Sequence, residues 1–393
     1  MFDLMALEAG GLLVLAAPLL AWTAWRGAWL VLPQESLHTR LAAAAVLAMT
    51  LVHVSVGVLG QLSAITGPAL VAVLAVVGVA FRWLTPGRPR TPWRQLAREA
   101  PVGVALGLGV LGLAVLTARL LPIWQWDSFG YHLPFVNFVL QHHGFAEVPA
   151  DLRYISTYPH NIELGMVWLR ALLPDDRLVD LAQVPYGAAG AVLTAALARE
   201  LGASRALSAL AGACWLTVPL VFLQLPTNYV DVGTAATLLG AVFFLMVRPV
   251  RATELVLGGL ALGFFLGSKP SAPLAAVVLG AAAVVRAVRA GQLRALGVMA
   301  LVTLVFGAEQ YAVMWVRHGN PVWPVAVQVG PWSLPGEHAV SELLAAGAAL
   351  PSASGGVVER LLVSWLAVDA APAFDMKLGG LGLTFLVALP LAL

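Results

Sequence analysis

Residues 41–60 read LAAAAVLAMTLVHVSVGVLG, a stretch in which no Asp, Glu, Lys or Arg occurs. A helix of about 20 apolar residues covers the roughly 30 Å hydrocarbon core of a bilayer. Inside lipid a chain must satisfy its backbone hydrogen bonds internally, and a helix does so within one segment. The stretch therefore predicts a membrane-spanning helix, and similar stretches recur along the chain.

The composition extends this prediction to the whole protein. The chain has 393 residues, of which 60% are hydrophobic and 11% charged, and its mean hydropathy is +0.87. A soluble domain cannot hide so much apolar surface, so lipid must surround most of it. We predict an all-α fold, a polytopic bundle of transmembrane helices. The single cysteine, Cys214, excludes an internal disulfide and argues against redox chemistry.

We predict about eleven spans from the apolar runs of the sequence. Their ranges are 11–32, 41–60, 66–82, 101–121, 178–198, 206–224, 230–247, 254–268, 271–286, 295–316 and 378–393. The chain then divides into four spans (1–121), a first long loop (122–177), six spans (178–316), a second long loop (317–377) and the last span (378–393). The last run is short, so we expect the sequence to be truncated at its C-terminus.

Charge sets the predicted orientation, because cytoplasmic loops carry an excess of Arg and Lys. The segment 81–100 holds five arginines and is assigned to the cytoplasm. Alternation from there assigns 14 of the 22 basic residues to that side but only four of the 20 acids. The N-terminus and both long loops, 122–177 and 317–377, are then outside, and candidate chemistry concentrates there.

The first long loop opens with WQWDSFGYHLP at 124–134. Asp127 lies between tryptophans of the kind found at headgroup level, where it is either a solvated acid or a general base at the lipid interface. His132, five residues on, either pairs with Asp127, binds phosphate or is an ordinary polar surface residue. His142 and His143 do not favour a metal site, since adjacent histidines on a helix point apart.

Two amphipathic helices are predicted within this loop. The first covers 133–143, and the second starts after Tyr158 with Pro159 in its first turn. The second helix carries His160 and Glu163 on one face. We expect both helices to lie on the membrane surface.

Asp231 and Lys269 are candidate polar residues at later outer positions. Asp231 opens the seventh span, where the helix dipole favours an acid even without a function. Lys269 lies between two spans of only about 15 residues, which reach about 22 Å at 1.5 Å per residue. It is either a snorkelling hairpin lysine or a recessed ammonium suited to a phosphate oxygen.

Glu309 and Asn320 complete the candidate set. Glu309 is predicted about two turns inside the tenth span, where an acid is either functional or in structural contact with Gln310 or Arg317. Asn320 belongs to the turn His318-Gly319-Asn320-Pro321-Val322-Trp323-Pro324, which two prolines and a glycine stiffen at the interface.

Five stretches of the sequence, taken together, carry a family resemblance. They are WDSFGYHLP (126–134), TYPHNIELGMVW (157–168), TNYVDVG (227–233), GLALGFFLGSKPSA (259–272) and HGNPVWP (318–324). In this order, and on one predicted face, they resemble the bacterial GT-C glycosyltransferases related to the family 39 protein O-mannosyltransferases and aminoarabinose transferases. The resemblance covers roughly residues 120–325. It implies a GT-C-type helix bundle whose first outer loop carries the catalytic acid and two juxtamembrane helices.

The resemblance also implies an activity and a site. It assigns the catalytic base to Asp127, which would deprotonate an acceptor hydroxyl of a glycan, lipid or protein. The implied donor is a sugar on polyprenyl phosphate, transferred with inversion at the outer face of the bacterial plasma (inner) membrane. Lys269 and His132 are the implied phosphate-binding residues. The acceptor- and sugar-binding residues are then Tyr131, Asp231, Glu309, Asn320, His160 and Glu163. We predict no cofactor and no nucleic-acid partner, and a divalent metal is left open.

Two other classes of function remain open at this stage. A transporter or lipid flippase predicts charged groups through the membrane midplane and repeats between halves, and only Glu309 is predicted within a span. A glycan polymerase or ligase shares lipid-linked substrates but predicts arginines clustered in the outer loop. Here Arg153, Arg170 and Arg177 are scattered.

Overall fold

A computed structural model describes residues 2–85, 93–148, 153–173 and 176–339, with 341–342, 356 and 358–359. The predicted last span, 378–393, and most of the second long loop lie outside the described residues. The described chain is mostly helical and apolar, as the sequence predicts.

The helices follow the chain in short and long segments. They are α1 (Phe2–Val31), α2 (Leu37–Gln61), α3 (Gly67–Leu84), α4 (Trp93–Glu99), α5 (Pro101–Leu120), α6 (Leu133–Gln141), α7 (Arg153–Thr157), α8 (Glu163–Leu172), α9 (Gln183–Glu200), α10 (Arg205–Leu216), α11 (Pro219–Gln224), α12 (Asp231–Val242), α13 (Ala252–Leu266), α14 (Ala272–Arg289), α15 (Leu293–Gly307) and α16 (Glu309–His318). A π-helical turn, Ser128–His132, precedes α6, another, Phe243–Val247, extends α12, and a 3-10 helix, Asp176–Ala182, leads into α9.

Six helical segments of the described residues are long and apolar enough to cross a membrane, so the chain is a multi-pass membrane protein by length and composition. They are Gly11–Val31, Leu37–Gln61, Gly67–Leu84, Pro101–Leu120, Leu178–Glu200 and Ala272–Arg289. The bent pair α15 and α16 makes a seventh if it is one span. The predicted number of about eleven is therefore not confirmed, because α10, α12 with its π turn, and α13 are shorter.

Two predicted spans are broken helices. The span 206–224 divides after Leu216, and α11 restarts at Pro219, which cannot donate a hydrogen bond to continue α10. The span 295–316 bends by 66° between α15 and α16. Glu309 consequently opens α16 and is exposed, which corrects its predicted position inside a straight span.

A small sheet, which the sequence analysis did not predict, accompanies the helical bundle. It consists of β1 (Val325–Val329), β2 (Trp332–Leu334) and β3 (His338–Ala339) in the order β2-β1-β3. Strands β1 and β2 are antiparallel around a turn at Gly330, whose φ of +57° suits glycine, and β1 and β3 are parallel. A search for apolar runs as long as a membrane span does not detect strands as short as these.

The two predicted amphipathic helices of the first long loop exist as α6 and α8, but α8 differs from the prediction. It begins at Glu163 rather than at Pro159. Its side chains are buried on most faces, among them Met166, Val167 and Leu172, and it packs against α1, α2 and α3. A helix that is apolar nearly all round belongs in a core, so α8 is not a surface helix.

Helices α13 and α15 approach each other closely through small residues. A Cβ at Gly263 would lie 2.9 Å from the Thr303 carbonyl oxygen, and one at Gly307 would lie 2.6 Å from the Gly263 carbonyl oxygen. Small residues at such contacts let the helix backbones approach each other in membrane proteins. This packing sets the end of α13 beside the α15–α16 bend.

Three of the connections predicted to be cytoplasmic meet in one charged cluster. The buried Arg248 guanidinium contacts Glu35 at 2.5 Å and Glu200 at 2.6 Å, and Arg251 contacts Glu35 at 2.6 Å. Glu254, also buried, lies 3.8 Å from Arg248. These residues come from three separate connections. Three connections that the sequence assigned to one side of the membrane therefore lie at one end of the bundle.

Replacing Arg248 with glutamine should destabilise the fold, because it removes the buried cation that Glu35, Glu200 and Glu254 share and leaves Glu35 and Glu254 with the exposed Arg251. Breaking such a buried pair costs about 3–5 kcal/mol. The measurement is the midpoint of thermal unfolding of the purified protein in detergent. The matched control is Arg289→Gln, which removes an exposed arginine. Equal midpoints for the two variants would contradict this role of Arg248.

Candidate functional site

The connections predicted to lie outside meet at the other end of the bundle. The backbone N–H of Ile65 donates to the His143 carbonyl at 2.8 Å, and that of Phe145 donates to the Gly60 carbonyl at 3.1 Å. The first long loop is thereby fixed over the α2–α3 connection.

Asn161 fixes the same loop to three helix ends. Its side-chain amide donates to the carbonyls of Phe306 at 2.6 Å, Gly263 at 3.3 Å and Phe264 at 3.4 Å. Its backbone N–H donates to the Gly267 carbonyl at 2.9 Å. A Cβ at Gly267 would lie 2.3 Å from the Asn161 amide nitrogen, so only glycine allows this approach.

Asp127 is half-buried at the start of the π turn that precedes α6. The Tyr131 hydroxyl, four residues on, donates to Asp127 Oδ2 at 2.9 Å. Burial and then the neighbouring Asp127 carboxylate raise the pKa of this hydroxyl, so it remains a donor. Trp124 and Trp126 beside them are 57% and 72% exposed, as expected of side chains at lipid-headgroup level.

A buried histidine–carboxylate pair begins at the residue that follows Tyr131. His132 Nδ1 donates to Glu163 Oε1 at 2.9 Å, and both side chains are only 2% exposed. His160 Nδ1 lies 3.7 Å from the same oxygen, and the ring of His160 stacks on Phe135. Burial alone raises the pKa of the Glu163 carboxyl, but the hydrogen bond from His132 and the nearby His160 lower it to about 2.

This buried pair corrects three sequence-based predictions. His132 pairs with Glu163 and not with Asp127, whose partner is Tyr131. His132 and Glu163 are also too deeply buried to bind a donor phosphate or a sugar hydroxyl directly. Their position between α6 and α8 instead makes them positioning residues for the turn that carries Asp127.

Aromatic contacts connect the surroundings of Asp127 to the later outer segments. The Tyr131 ring lies 4.2 Å from the ring of His132 and 5.5 Å from that of Tyr158. The His132 ring in turn lies 5.9 Å from that of Tyr229. Tyr229 is two residues before Asp231, so these contacts run from Asp127 to the segment that carries Asp231.

Asp231 and Lys269 form an ion pair at the same end. Lys269 Nζ lies 2.5 Å from Asp231 Oδ1, and the two side chains are 39% and 34% exposed. Asp231 begins α12, and Lys269 lies in the hairpin between α13 and α14. An ammonium has three donors, so Lys269 keeps capacity for a further oxygen ligand.

A buried polar cluster that the sequence analysis missed supports Asp231. The Asn228 amide donates to Asp180 Oδ1 at 2.7 Å, and both side chains are buried. Gln183 donates to the Tyr229 carbonyl and accepts from the Gly233 N–H at 2.9 Å. Asn228 lies inside the TNYVDVG stretch, which is the signal available in the sequence. The partners Asp180 and Gln183 lie about 50 residues earlier, and their polar segment gives no sign of burial.

The remaining predicted residues fall into two groups. Glu309 and His160 line one cleft between α6 and the α15–α16 bend. Asn320 is fully buried, donates to the Val325 and Pro335 carbonyls at 2.8 and 2.7 Å, and accepts from the Val322 N–H at 2.9 Å. These contacts use the side-chain amide of Asn320 to hold its turn against the small sheet. The prediction that Asn320 binds a sugar is therefore wrong.

No group of three His, Cys, Asp or Glu side chains with the spacing of a metal site occurs within the described residues. Asp231 already has Lys269 as its partner, and Glu163 has His132.

Replacing Glu163 with glutamine should lower stability, because it removes the charge-assisted hydrogen bond from the buried His132. Hydrogen bonds to charged groups contribute about 1.5–3 kcal/mol. The pKa of Glu163 is depressed in the folded state, so this contribution is present above about pH 4.5 and is lost as the pH falls towards 2.

Thermal unfolding midpoints at several pH values in detergent measure this effect. Glu309→Gln is the matched control, because Glu309 is exposed. A Glu163→Gln midpoint equal to that of the control at neutral pH would refute the role of the ion pair.

A comparison of the chain with family models, with curated proteins and with solved structures gives no match.

Proposed function

We propose that the protein is an inverting glycosyltransferase that moves a sugar from a polyprenyl-phosphate carrier to an acceptor hydroxyl. The reaction takes place at the outer face of the bacterial plasma membrane, with Asp127 as the general base. The observation that carries the proposal is the contact chain from Asp127 through Tyr131 and His132 to Tyr229, two residues before the Asp231 that pairs with Lys269. Two exposed tryptophans, Trp124 and Trp126, lie beside Asp127 in the sequence. A carboxylate base, a cation and a lipid-facing surface are what a lipid-phosphate donor and a hydroxyl acceptor require.

The proposed reaction needs one proton acceptor, Asp127, and one cation, Lys269. The acceptor oxygen forms a bond to the anomeric carbon as the bond from that carbon to the phosphate oxygen breaks. The acceptor proton passes to Asp127, and polyprenyl phosphate leaves with the electron pair of the broken bond. The hydrogen bond from Tyr131 holds the carboxylate in one orientation, which general base catalysis requires.

Lys269 has the second role in this proposal. The leaving phosphate gains negative charge, and a nearby preorganised cation stabilises that charge in the transition state. The Asp231 carboxylate holds the ammonium in place at 2.5 Å before the donor arrives. Asp231 is therefore proposed to position Lys269, and a sugar hydroxyl is a further ligand open to its second oxygen.

Asp127→Asn should abolish transfer while leaving the fold intact, since the amide keeps the size of the carboxylate but cannot accept the proton. Loss of a general base costs about 10²–10⁴-fold in rate. The measurement is the transfer of radiolabelled sugar from polyprenyl-phosphate donors in proteoliposomes, supplied with mixed glycan, lipid and peptide acceptors.

The matched control is Glu337→Gln, which removes an exposed carboxylate from the small sheet. The control should transfer at the wild-type rate. Transfer by Asp127→Asn at that same rate would exclude Asp127 as the base.

Labelling from outside intact cells tests the proposed orientation. In a Cys214→Ala background, Glu337→Cys should react with a membrane-impermeant thiol reagent, because that position is exposed in the second long loop. Arg289→Cys, exposed at the Arg-rich end, should react only after the cells are opened. The opposite pattern would invert the proposed topology.

A lipid or solute transporter, such as a flippase, is the second candidate. The 66° bend between α15 and α16 and the short helices around Lys269 favour it, because interrupted helices form binding sites in many transporters. Flux of lipid-linked sugar across the vesicle membrane without any covalent product would replace the first proposal with this one.

A further inference from the structure

A cleft of about 160 Å³ opens at the outer end of the bundle, where α6, the segment before α8 and the α15–α16 bend meet. Helix α6 and the residues after it supply the rings of Phe135, Phe138 and Phe145. The start of α16 supplies Glu309 and Gln310. The cleft thus combines aromatic surface with a few polar groups, which is the usual composition of a small-molecule site.

The polar groups of the cleft are mainly hydrogen-bond acceptors. Glu309 is exposed and has no hydrogen bond or ion pair within the part of the chain that the structure describes. Gln310 uses its amide nitrogen on the Ser156 carbonyl at 2.7 Å, which leaves its oxygen to accept. Arg317, which also lines the cleft, is paired with Glu147 at 3.1 Å, and the two lining carboxylates, Glu147 and Glu309, outnumber this arginine. The lining therefore favours a ligand that donates hydrogen bonds and disfavours an anion.

Phe135 is buried and stacks on His160, so the half-buried rings of Phe138 and Phe145 are the ones that restrict the ligand further. Their faces are electron-rich and attract groups with a partial positive charge, such as the C–H groups on one face of a sugar ring. The hydroxyls of the same sugar ring supply the donors that Glu309 and Gln310 accept. Resting on the proposed transferase function, we infer that this cleft binds a neutral, hydroxylated sugar unit of the acceptor.

The position of the cleft defines which unit of the acceptor it binds. Pro159 and His160 line the cleft, and Tyr158, immediately before them, contacts the Tyr131 ring that adjoins Asp127. Eight residues separate Asp127 from Phe135, which is about 12 Å along a helical path. The unit in the cleft is therefore not the one that carries the reacting hydroxyl. The acceptor is a glycan of more than one unit, one end of which reaches Asp127.

Binding without donor tests the cleft by itself. Saturation-transfer NMR on the purified full chain would use neutral methyl glycosides of glucose, galactose and mannose, with glucuronic acid as the anionic probe. At least one neutral glycoside should receive saturation at its ring C–H protons, and glucuronic acid should receive at least about fivefold less, because it meets Glu309. Equal or stronger binding of glucuronic acid overturns the inference.

Cleft variants locate the binding. Phe138→Ala and Glu309→Gln should each weaken binding about three- to tenfold, the range expected for one aromatic or charged hydrogen-bonding contact. Trp83→Ala, at the exposed end of α3, and Glu337→Gln are matched controls and should bind as wild type. Binding that is unchanged in both cleft variants overturns the inference.

The transfer assay separates this inference from the proposed function. With a neutral disaccharide glycoside as acceptor, Glu309→Gln should raise the acceptor KM about three- to tenfold and leave kcat unchanged. If Glu309→Gln transfers sugar with an unaltered acceptor KM, the assignment of the cleft is wrong and the proposed transferase function stands. Cleft-dependent glycoside binding without transfer from any donor retains the cleft as a sugar site and refutes the transferase.

Discussion

The outer-end site depends on the hydrogen bonds of Asn161. Backbone carbonyls that are exposed where a helix ends or bends within a membrane protein need a partner, because lipid offers none. The Asn161 amide supplies one to Phe306, at the α15–α16 bend, and to Gly263 and Phe264, near the end of α13. The same bonds hold the loop segment that leads into α8. The bend and the loop are thus parts of one arrangement, and the glycine at 267 permits it.

Charge is distributed in two different ways at the two ends of the bundle. At the end that carries Arg248, its guanidinium binds carboxylates from separate connections and stabilises their packing. At the end that carries the candidate site the charges divide into a buried pair and accessible groups. The buried pair, His132 and Glu163, fixes the turn before α6 to α8, while Asp127 stays half-exposed on that turn. The buried Glu163 carboxylate therefore fixes the turn on which the accessible Asp127 carboxylate lies.

The sequence was sufficient for features that depend on local composition. Long apolar runs predicted the six membrane-length helices, and alternating arginines grouped the loops by end. Features that depend on contacts distant in the chain were not predictable in this way. Glu163 was assigned to a sugar because nothing local reveals that His132, 31 residues earlier, covers it. The bend at Ala308 was missed because the length and hydropathy of an apolar run contain no information about the direction of the helix. Asn320 was assigned to ligand because its backbone partners lie in strands too short to predict.

The central claim is that one lipid-phosphate substrate meets both Asp127 and the Asp231–Lys269 pair at the outer end. The most direct measurement is photo-crosslinking of the reconstituted protein with a polyprenyl-phosphate sugar that carries a diazirine next to the phosphate, followed by peptide mass spectrometry. Our account predicts adducts within residues 124–132 and around Lys269, and their loss on competition with unmodified donor. Competable adducts confined to the opposite end, around Arg248 and Arg286, would contradict it.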